Sequence, residues 1–138
     1  MNDKLTVPSY YDLCIVNDCP KSSTCLHHVA LSMASEQKIS IFNPNLIDKS
    51  GKCGHYIKAE KVFHAKGFKE MMGKLPYDIH KRAVSALMSY FSERTYYRIR
   101  KGDRLLSPDE QKAVRRIITR LGYTEPWEFD AYVEDYLW

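Results

Sequence analysis

The sequence contains no apolar segment approaching the roughly 20 residues that a membrane-spanning helix needs. Residues 1–8 also lack the basic region and the long apolar core of a secretory signal peptide. These two absences predict a cytoplasmic protein for which a membrane is not a partner.

The motifs of several enzyme classes are also missing. The chain has no phosphate-binding GxxxxGK[ST], no dinucleotide-binding GxGxxG, no hydrolase GxSxG, and no HExxH or H-x-E…PCxxC pattern of catalytic zinc sites. Acidic residues do cluster near the C-terminus, but on an amphipathic terminal helix they are most simply its solvated face. We therefore predict a protein that binds rather than catalyses.

What the chain does contain is enough apolar residues for a core, together with an uneven distribution of charge. Hydrophobic residues make up 44% of the 138 residues, and the net charge is +4. Residues 58–120 carry sixteen basic and seven acidic side chains, whereas residues 121–138 carry five acidic and no basic ones. A basic segment of this kind is typical of a polyanion-binding surface, and a merely solvated helical surface is the simpler alternative.

The change in charge near residue 60 predicts two modules. Residues 1–60 contain all four cysteines and several prolines and glycines, which predicts a small cysteine-rich module with little regular structure. Residues 61–138 show apolar residues at helical spacing, which predicts a helical module. The expected fold class is therefore mostly α.

Local signals predict where these helices begin and end. Ser107, Pro108 and Glu110 are typical of an N-cap, a first helical residue and a capping box. Asp78 and Ser92 are the expected caps of two earlier helices. Further signals are Gly102 as a helix end and an apolar stripe that predicts a terminal helix over residues 124–138, carried by Phe129, Val133, Tyr136 and Leu137.

The four cysteines, Cys14, Cys19, Cys25 and Cys53, predict a metal site. Four thiolates complete a tetrahedral zinc site, which we favour, or hold one iron–sulfur cluster. A module with so little core needs such a staple. Three alternatives stay open, namely the cluster, thiols that act only as small hydrophobic groups, and a histidine in place of one cysteine. The candidate histidines are His27, His28, His55 and His64.

Residues 86–102 resemble the helix-turn-helix of phage-repressor and Cro-type DNA-binding domains. Ala86 matches the small residue of the first helix, and Phe91-Ser92 matches the apolar residue and Ser that follow the turn. Residues 95–102 match the second helix, while Tyr90 stands where that family usually has Gly. The resemblance implies a DNA-binding regulator or accessory factor. The whole chain also resembles an uncharacterised bacterial family of unknown function, which implies no activity.

The resemblance further implies which side chains would meet DNA. Residues whose positions lie over base edges in that family are Glu93, Arg94, Tyr97 and Arg98. We expect phosphate contacts from further basic residues, namely Arg100, Lys101, Arg104, Lys112, Arg115 and Arg116. Tyr96 and Ile99 are expected to pack inward.

Three other functions remain as alternatives, one of which is redox sensing by an iron–sulfur cluster on the four cysteines. Basic residues interleaved with tyrosines also suit single-stranded RNA, whose unstacked bases pack on aromatic rings. A protein-interaction adaptor is the third alternative, in which the acidic, aromatic terminal helix binds a protein partner. Double-stranded DNA is the favoured partner.

Overall fold

The computed structural model describes residues 6–138, which form a mixed α/β fold. Its two strands, β1 and β2, pair in an antiparallel sheet, and the five α-helices make up most of the 38% of residues that are helical. The prediction of a mostly α protein was therefore wrong. The elements in chain order are α1 (Leu26–Val29), β1 (Lys61–Lys66), α2 (Lys69–Lys74), α3 (Tyr77–Phe91), α4 (Glu93–Lys101), α5 (Pro108–Arg120) and β2 (Ala131–Tyr136).

The largest correction concerns the C-terminus, where β2 replaces the predicted terminal helix. Aromatic and β-branched residues such as Tyr132, Val133 and Tyr136 favour strands, because they pack well on a pleated surface. Phe129, the first residue of the predicted apolar stripe, is instead buried in the loop before this strand. The partner strand β1 lies some seventy positions earlier, beyond the reach of local sequence patterns.

The local signals of α4 and α5 were confirmed, whereas the predicted Asp78 cap of α3 was wrong. The hydroxyl of Ser107 accepts a hydrogen bond from the Glu110 N–H, and the Glu110 carboxylate accepts one from the Ser107 N–H, which completes the capping box. Ser92 caps α4, and Gly102 ends it in the left-handed conformation with φ 90°. Helix α3 begins at Tyr77 with Pro76 as its N-cap, so Asp78 lies in the first turn instead of capping.

The chain divides into two compact units. The second unit, Val62–Asp135, contains most of the regular structure and the larger core. Helices α3, α4 and α5 surround this core, and β1 is tied to it by an antiparallel bridge between Ala65 and Leu106. Fully buried members of the core include Phe68, Leu87, Tyr96, Ile99, Leu106, Val114 and Ile118.

The first unit comprises the described residues up to Lys61 and Tyr136–Trp138. Its regular structure consists of the four-residue helix α1 and a 3₁₀ segment, Ala30–Met33. The buried residues that cluster here are Tyr11, Leu13, Leu26 and Ala30, far fewer than in the second unit. Within residues 6–138, no helix is long and apolar enough to cross a membrane.

Candidate functional site

Helix α4 has one face in the core of the second unit and the other in solvent. Tyr96 and Ile99 are buried, as predicted, and burial raises the pKa of the Tyr96 phenol. The side chains of the exposed face, called the α4 face here, are Glu93, Arg94, Tyr97, Arg98 and Lys101. These residues recur at helical spacing, so one short helix presents three cations, one carboxylate and a tyrosine together.

The cations of the α4 face have no intramolecular partners in the described structure. Among residues 6–138, no ion pair and no side-chain hydrogen bond engages Arg94, Arg98 or Lys101. The ring of Tyr97 is 42% exposed and contacts Tyr96 edge-to-face. The guanidinium groups are therefore available to an external anion.

The connection between α3 and α4 differs from the turn of a helix-turn-helix. Helix α3 continues through Tyr90 to Phe91, so Tyr90 is an exposed helical residue and not part of a turn. Ser92 alone joins the two helices, with φ 78°. A helix-turn-helix has a turn of three to four residues. This part of the fold therefore does not form the predicted helix-turn-helix element.

Arg104, one of the predicted phosphate-binding residues, serves the fold of its own unit. Its Nη2 donates a hydrogen bond to Glu110 Oε2 at 3.0 Å, on the carboxylate that also completes the capping box of α5. Its Nη1 is buried and has no hydrogen-bond partner among residues 6–138. An Arg held in this way is a poor candidate for a phosphate contact.

Arg115 makes more intramolecular contacts than Arg104 does. Its guanidinium lies 4.5 Å from the ring centre of Trp127 and donates to the Trp127 carbonyl at 3.2 Å. It also donates to Glu128 Oε2 at 3.2 Å and to the hydroxyl of Tyr132 at 3.3 Å. The Tyr132 hydroxyl bonds the same carboxylate, and this bond, with Arg115 beside it, lowers the pKa of Glu128. Arg115 therefore joins α5 to the segment that leads into β2.

The other predicted phosphate contacts differ in exposure. Lys112 and Arg116 are exposed on α5, whereas Arg100 is half-buried on α4. Lys66, which no sequence pattern singled out, is an exposed residue at the end of β1. A Cβ placed on Gly102 would lie 3.0 Å from Lys66 Cγ, so the Lys66 side chain passes the C-terminal end of α4. No local pattern could have placed it there, because 36 positions separate it from Gly102.

All four cysteines line one cleft of the first unit. Cys14, Cys19, Cys25 and Cys53 are free, half-buried thiols, and the cleft has an empty volume of about 430 Å³ that includes its open mouth. We call it the thiol cleft. Its other lining residues include Val16, Lys21, His27, His28, Phe42, Ile47, His55 and Tyr56.

The thiol cleft does not contain the ready-made metal site that the sequence suggested. Within residues 6–138, no group of three or more His, Cys, Asp or Glu side chains is arranged to hold a metal ion. A tetrahedral zinc ion needs four ligand atoms within about 2.3 Å of one point. The structure therefore brings the predicted thiols to one cleft but does not make them converge.

His27 is the most constrained histidine of the thiol cleft. Its Nδ1 lies 2.7 Å from the carbonyl of Asp12, and its ring stacks on Tyr11 with the centroids 4.7 Å apart. A carbonyl only accepts hydrogen bonds, so Nδ1 is the protonated nitrogen and Nε2 is the one with a free lone pair in the neutral ring. His55 stacks on Phe42, and His28 Nε2 lies 3.0 Å from Asn17 Oδ1.

The model of a family of unknown function (DUF6078) matches residues 1–138, the whole chain. No curated protein and no solved structure matches the sequence.

Proposed function

Because the chain belongs to a family of unknown function (DUF6078), whose description carries no activity, we propose a function from its surface: it binds nucleic acid, with double-stranded DNA preferred, through the α4 face. The observation that carries this proposal is the set of three unpaired cations on one exposed helical face. A helix of this width can enter the major groove of DNA. The proposal does not depend on the helix-turn-helix resemblance.

The chemistry of the α4 face suits both base reading and phosphate contact. Arg94 and Arg98 lie four positions apart, so successive turns of α4 offer two guanidinium groups. A guanidinium can donate two hydrogen bonds to guanine O6 and N7. Lys101 and Lys66 lie toward the other end of the helix and would meet phosphates, which add affinity without sequence preference.

The set of contacting residues is smaller than the sequence suggested. Arg104 and Arg115 are left out because their guanidinium groups hold Glu110 and Glu128. Lys112 and Arg116 remain candidate phosphate contacts on α5. Catalysis is not part of the proposal, and the cytoplasmic location stays a prediction.

A binding titration tests the proposal. The full chain is titrated into fluorescently labelled random duplex DNA and into single-stranded RNA of equal length, at low and at moderate salt, and fluorescence anisotropy is recorded. The proposal expects duplex binding that weakens steeply as salt rises, because bound cations release counterions from the phosphates. No duplex binding even at low salt would overturn it. Tighter binding to the single strand would overturn the preference for DNA and favour the RNA alternative.

Matched variants test the assignment to α4. The double variant Arg94→Ala/Arg98→Ala removes two cations from the α4 face, whereas the control Lys69→Ala/Lys74→Ala removes two exposed cations from α2. The proposal expects a large loss of affinity for the first pair and a small one for the control. An equal loss in both pairs would show binding by overall charge alone and would overturn the assignment. Arg94→Lys keeps the charge but loses the bidentate geometry, so it separates base reading from phosphate contact.

The adaptor alternative loses the helix on which it depended. Residues 131–136 form β2, and Trp127 and Phe129 pack in the second unit instead of lining an amphipathic helix. No other observation in the described part of the chain favours this alternative.

A further inference from the structure

One open groove of the second unit takes no part in the contacts of the α4 face. It lies between Arg115 and Thr119 of α5 and the segment of residues 123–128, and we call it the α5 groove. We propose that the α5 groove binds a small aliphatic diamine, with one ammonium group on the Glu125 carboxylate and the alkyl chain along the aromatic lining. This inference goes beyond the proposed function and does not rest on it.

The α5 groove has the size of a site for a small molecule. Its volume is about 320 Å³, at the lower end of the range of about 300–1,000 Å³ that is usual for such sites. The lining combines charged and hydroxyl-bearing side chains with aromatic ones. A short ligand with polar ends and an apolar middle matches both the size and this mixed lining.

The charge of the α5 groove favours a cationic ligand. Arg115 is the cation among the lining residues, and the Glu128 carboxylate lies 3.2 Å from its Nη2, so these two charges offset one another. Glu125 is exposed, and among residues 6–138 no ion pair or side-chain hydrogen bond engages it. One carboxylate charge is therefore left over in the groove. It attracts an ammonium group and repels an anion such as phosphate.

The hydrogen-bond acceptors of the α5 groove match the donors of an amine. A primary ammonium group donates three hydrogen bonds and accepts none. The Glu125 carboxylate offers two oxygens, and the exposed hydroxyls of Thr119 and Thr124 make no side-chain hydrogen bond within the described part of the chain. The bonds from Arg115 and Tyr132 to Glu128 both end on its Oε2, so its Oε1 can accept from a second ammonium group. Two acceptor ends favour a diamine over a monoamine.

The aromatic lining favours an organic cation over a metal ion. Tyr123 and Trp127 line the α5 groove and are half-buried. An alkyl chain can pack on such rings, and a ring face attracts a nearby ammonium group. The Trp127 ring already binds a cation in this way, because the Arg115 guanidinium lies 4.5 Å from the centre of the ring. A hydrated metal ion would leave the apolar part of the lining unused.

Hydrogen bonds and ring packing hold the walls of the α5 groove in place. Arg115 Nη1 donates to the Trp127 carbonyl at 3.2 Å, which ties α5 to the opposite wall. The Trp127 ring packs edge-to-face on the buried ring of Phe129, with the centroids 4.9 Å apart. The N–H of Tyr123 donates to the Ile118 carbonyl at 3.4 Å where the chain leaves α5. A groove held in this way needs little further ordering when a ligand binds.

Isothermal titration calorimetry of the full chain with putrescine tests the proposal. The titration is made at constant ionic strength and without nucleic acid, so its outcome is independent of DNA binding by α4. The proposal expects saturable binding of one putrescine per chain. Mg²⁺ has the same charge without the alkyl chain, and butanediol has the chain without the charge, so each should bind at least about tenfold more weakly. No saturable binding of putrescine, or equally tight binding of either control, would overturn the proposal.

Matched variants test the assignment to the α5 groove. Glu125→Gln removes the carboxylate charge that the ammonium group would meet, whereas the control Glu134→Gln removes an exposed carboxylate of β2 outside the groove. Both side chains are exposed, so both variants should fold. The proposal expects about tenfold weaker putrescine binding in the first variant and less than about a twofold change in the control. An equal effect of the two changes would show attraction by overall charge and would overturn the assignment.

Discussion

Asp130 allows a quantitative test of how the second unit is held together. Its carboxylate accepts hydrogen bonds from the N–H groups of Lys69 and Glu70, at 2.9 and 3.1 Å, and so caps α2 from more than sixty positions away. Its own N–H donates to the carbonyl of Gly67 at 2.9 Å. Asp130→Ala removes the side-chain cap and leaves the first N–H groups of α2 unpaired.

The expected loss of stability follows from these two bonds. Removal of a helix N-cap costs typically about 1 kcal/mol and up to about 2 kcal/mol. Hydrogen bonds to a charged group are stronger than this average, but Asp130 is exposed and water replaces part of what is lost. We therefore expect a loss of about 1–2 kcal/mol, which corresponds to a fall in melting temperature of roughly 5–15 °C for a unit of this size. Asp130→Asn keeps one acceptor oxygen and should lose about half as much.

Tryptophan fluorescence measures this loss in the second unit alone. The chain has two tryptophans, and in a Trp138→Phe background only Trp127 remains, with its ring 4.9 Å from that of Phe129 beside Asp130. Urea unfolding of Asp130→Ala is compared with that of Glu125→Ala, an exposed carboxylate in the loop before β2. The control should change stability by less than about 0.5 kcal/mol. Equal values for the two variants would refute the capping role.

Three further predictions concern single groups. Ser107→Ala should destabilise the second unit by about 1 kcal/mol, measured by urea unfolding, because it opens the capping box of α5. Tyr11→Phe should leave the thermal stability of the first unit unchanged or raise it, because the buried Tyr11 hydroxyl has no hydrogen-bond partner among residues 6–138. Burial raises the pKa of Tyr11 from 10.0 to about 12. The contribution of this pKa difference to the free energy of unfolding is complete below pH 10 and is lost as the pH rises from 10 through 12. Wild type should therefore lose stability over that range relative to Tyr11→Phe, and parallel pH profiles would contradict this.

The parts of the fold that the sequence predicted correctly are those with a local cause. The capping box at Ser107, the cap at Ser92 and the left-handed end at Gly102 each depend on residues within a few positions. The inward positions of Tyr96 and Ile99 follow from helical spacing in the same way. Short-range chemistry decides these features, so they can be inferred before any tertiary contact is known.

The errors arose where distant residues decide the structure. Strand β2 exists because β1 pairs with it from far along the chain, and α2 begins where Asp130 caps it. Neither partner is visible in a local pattern, so the terminal segment was assigned to a helix and α2 was missed. The same limit applies to the candidate sites, because the sequence could not show that Arg104 and Arg115 bind carboxylates of their own unit.

The arrangement of the cysteines could be predicted from the sequence only in part. Their number and the poor core around them indicated a shared role, and the structure places all four in the thiol cleft. Their spacing along the chain did not indicate whether the sulfurs meet at one point or line a wider space, because loop conformation decides this.

The central claim is that the α4 face binds duplex DNA through its unpaired cations, and the salt dependence of binding tests it most directly. The logarithm of the binding constant is measured against the logarithm of salt concentration for wild type and for Lys101→Ala, which removes the α4-face cation assigned to a phosphate. Each phosphate contact contributes a slope of about −0.9, so losing the Lys101 contact should flatten the dependence by about one unit. The same slope in both proteins, or no duplex binding by wild type, would contradict the claim.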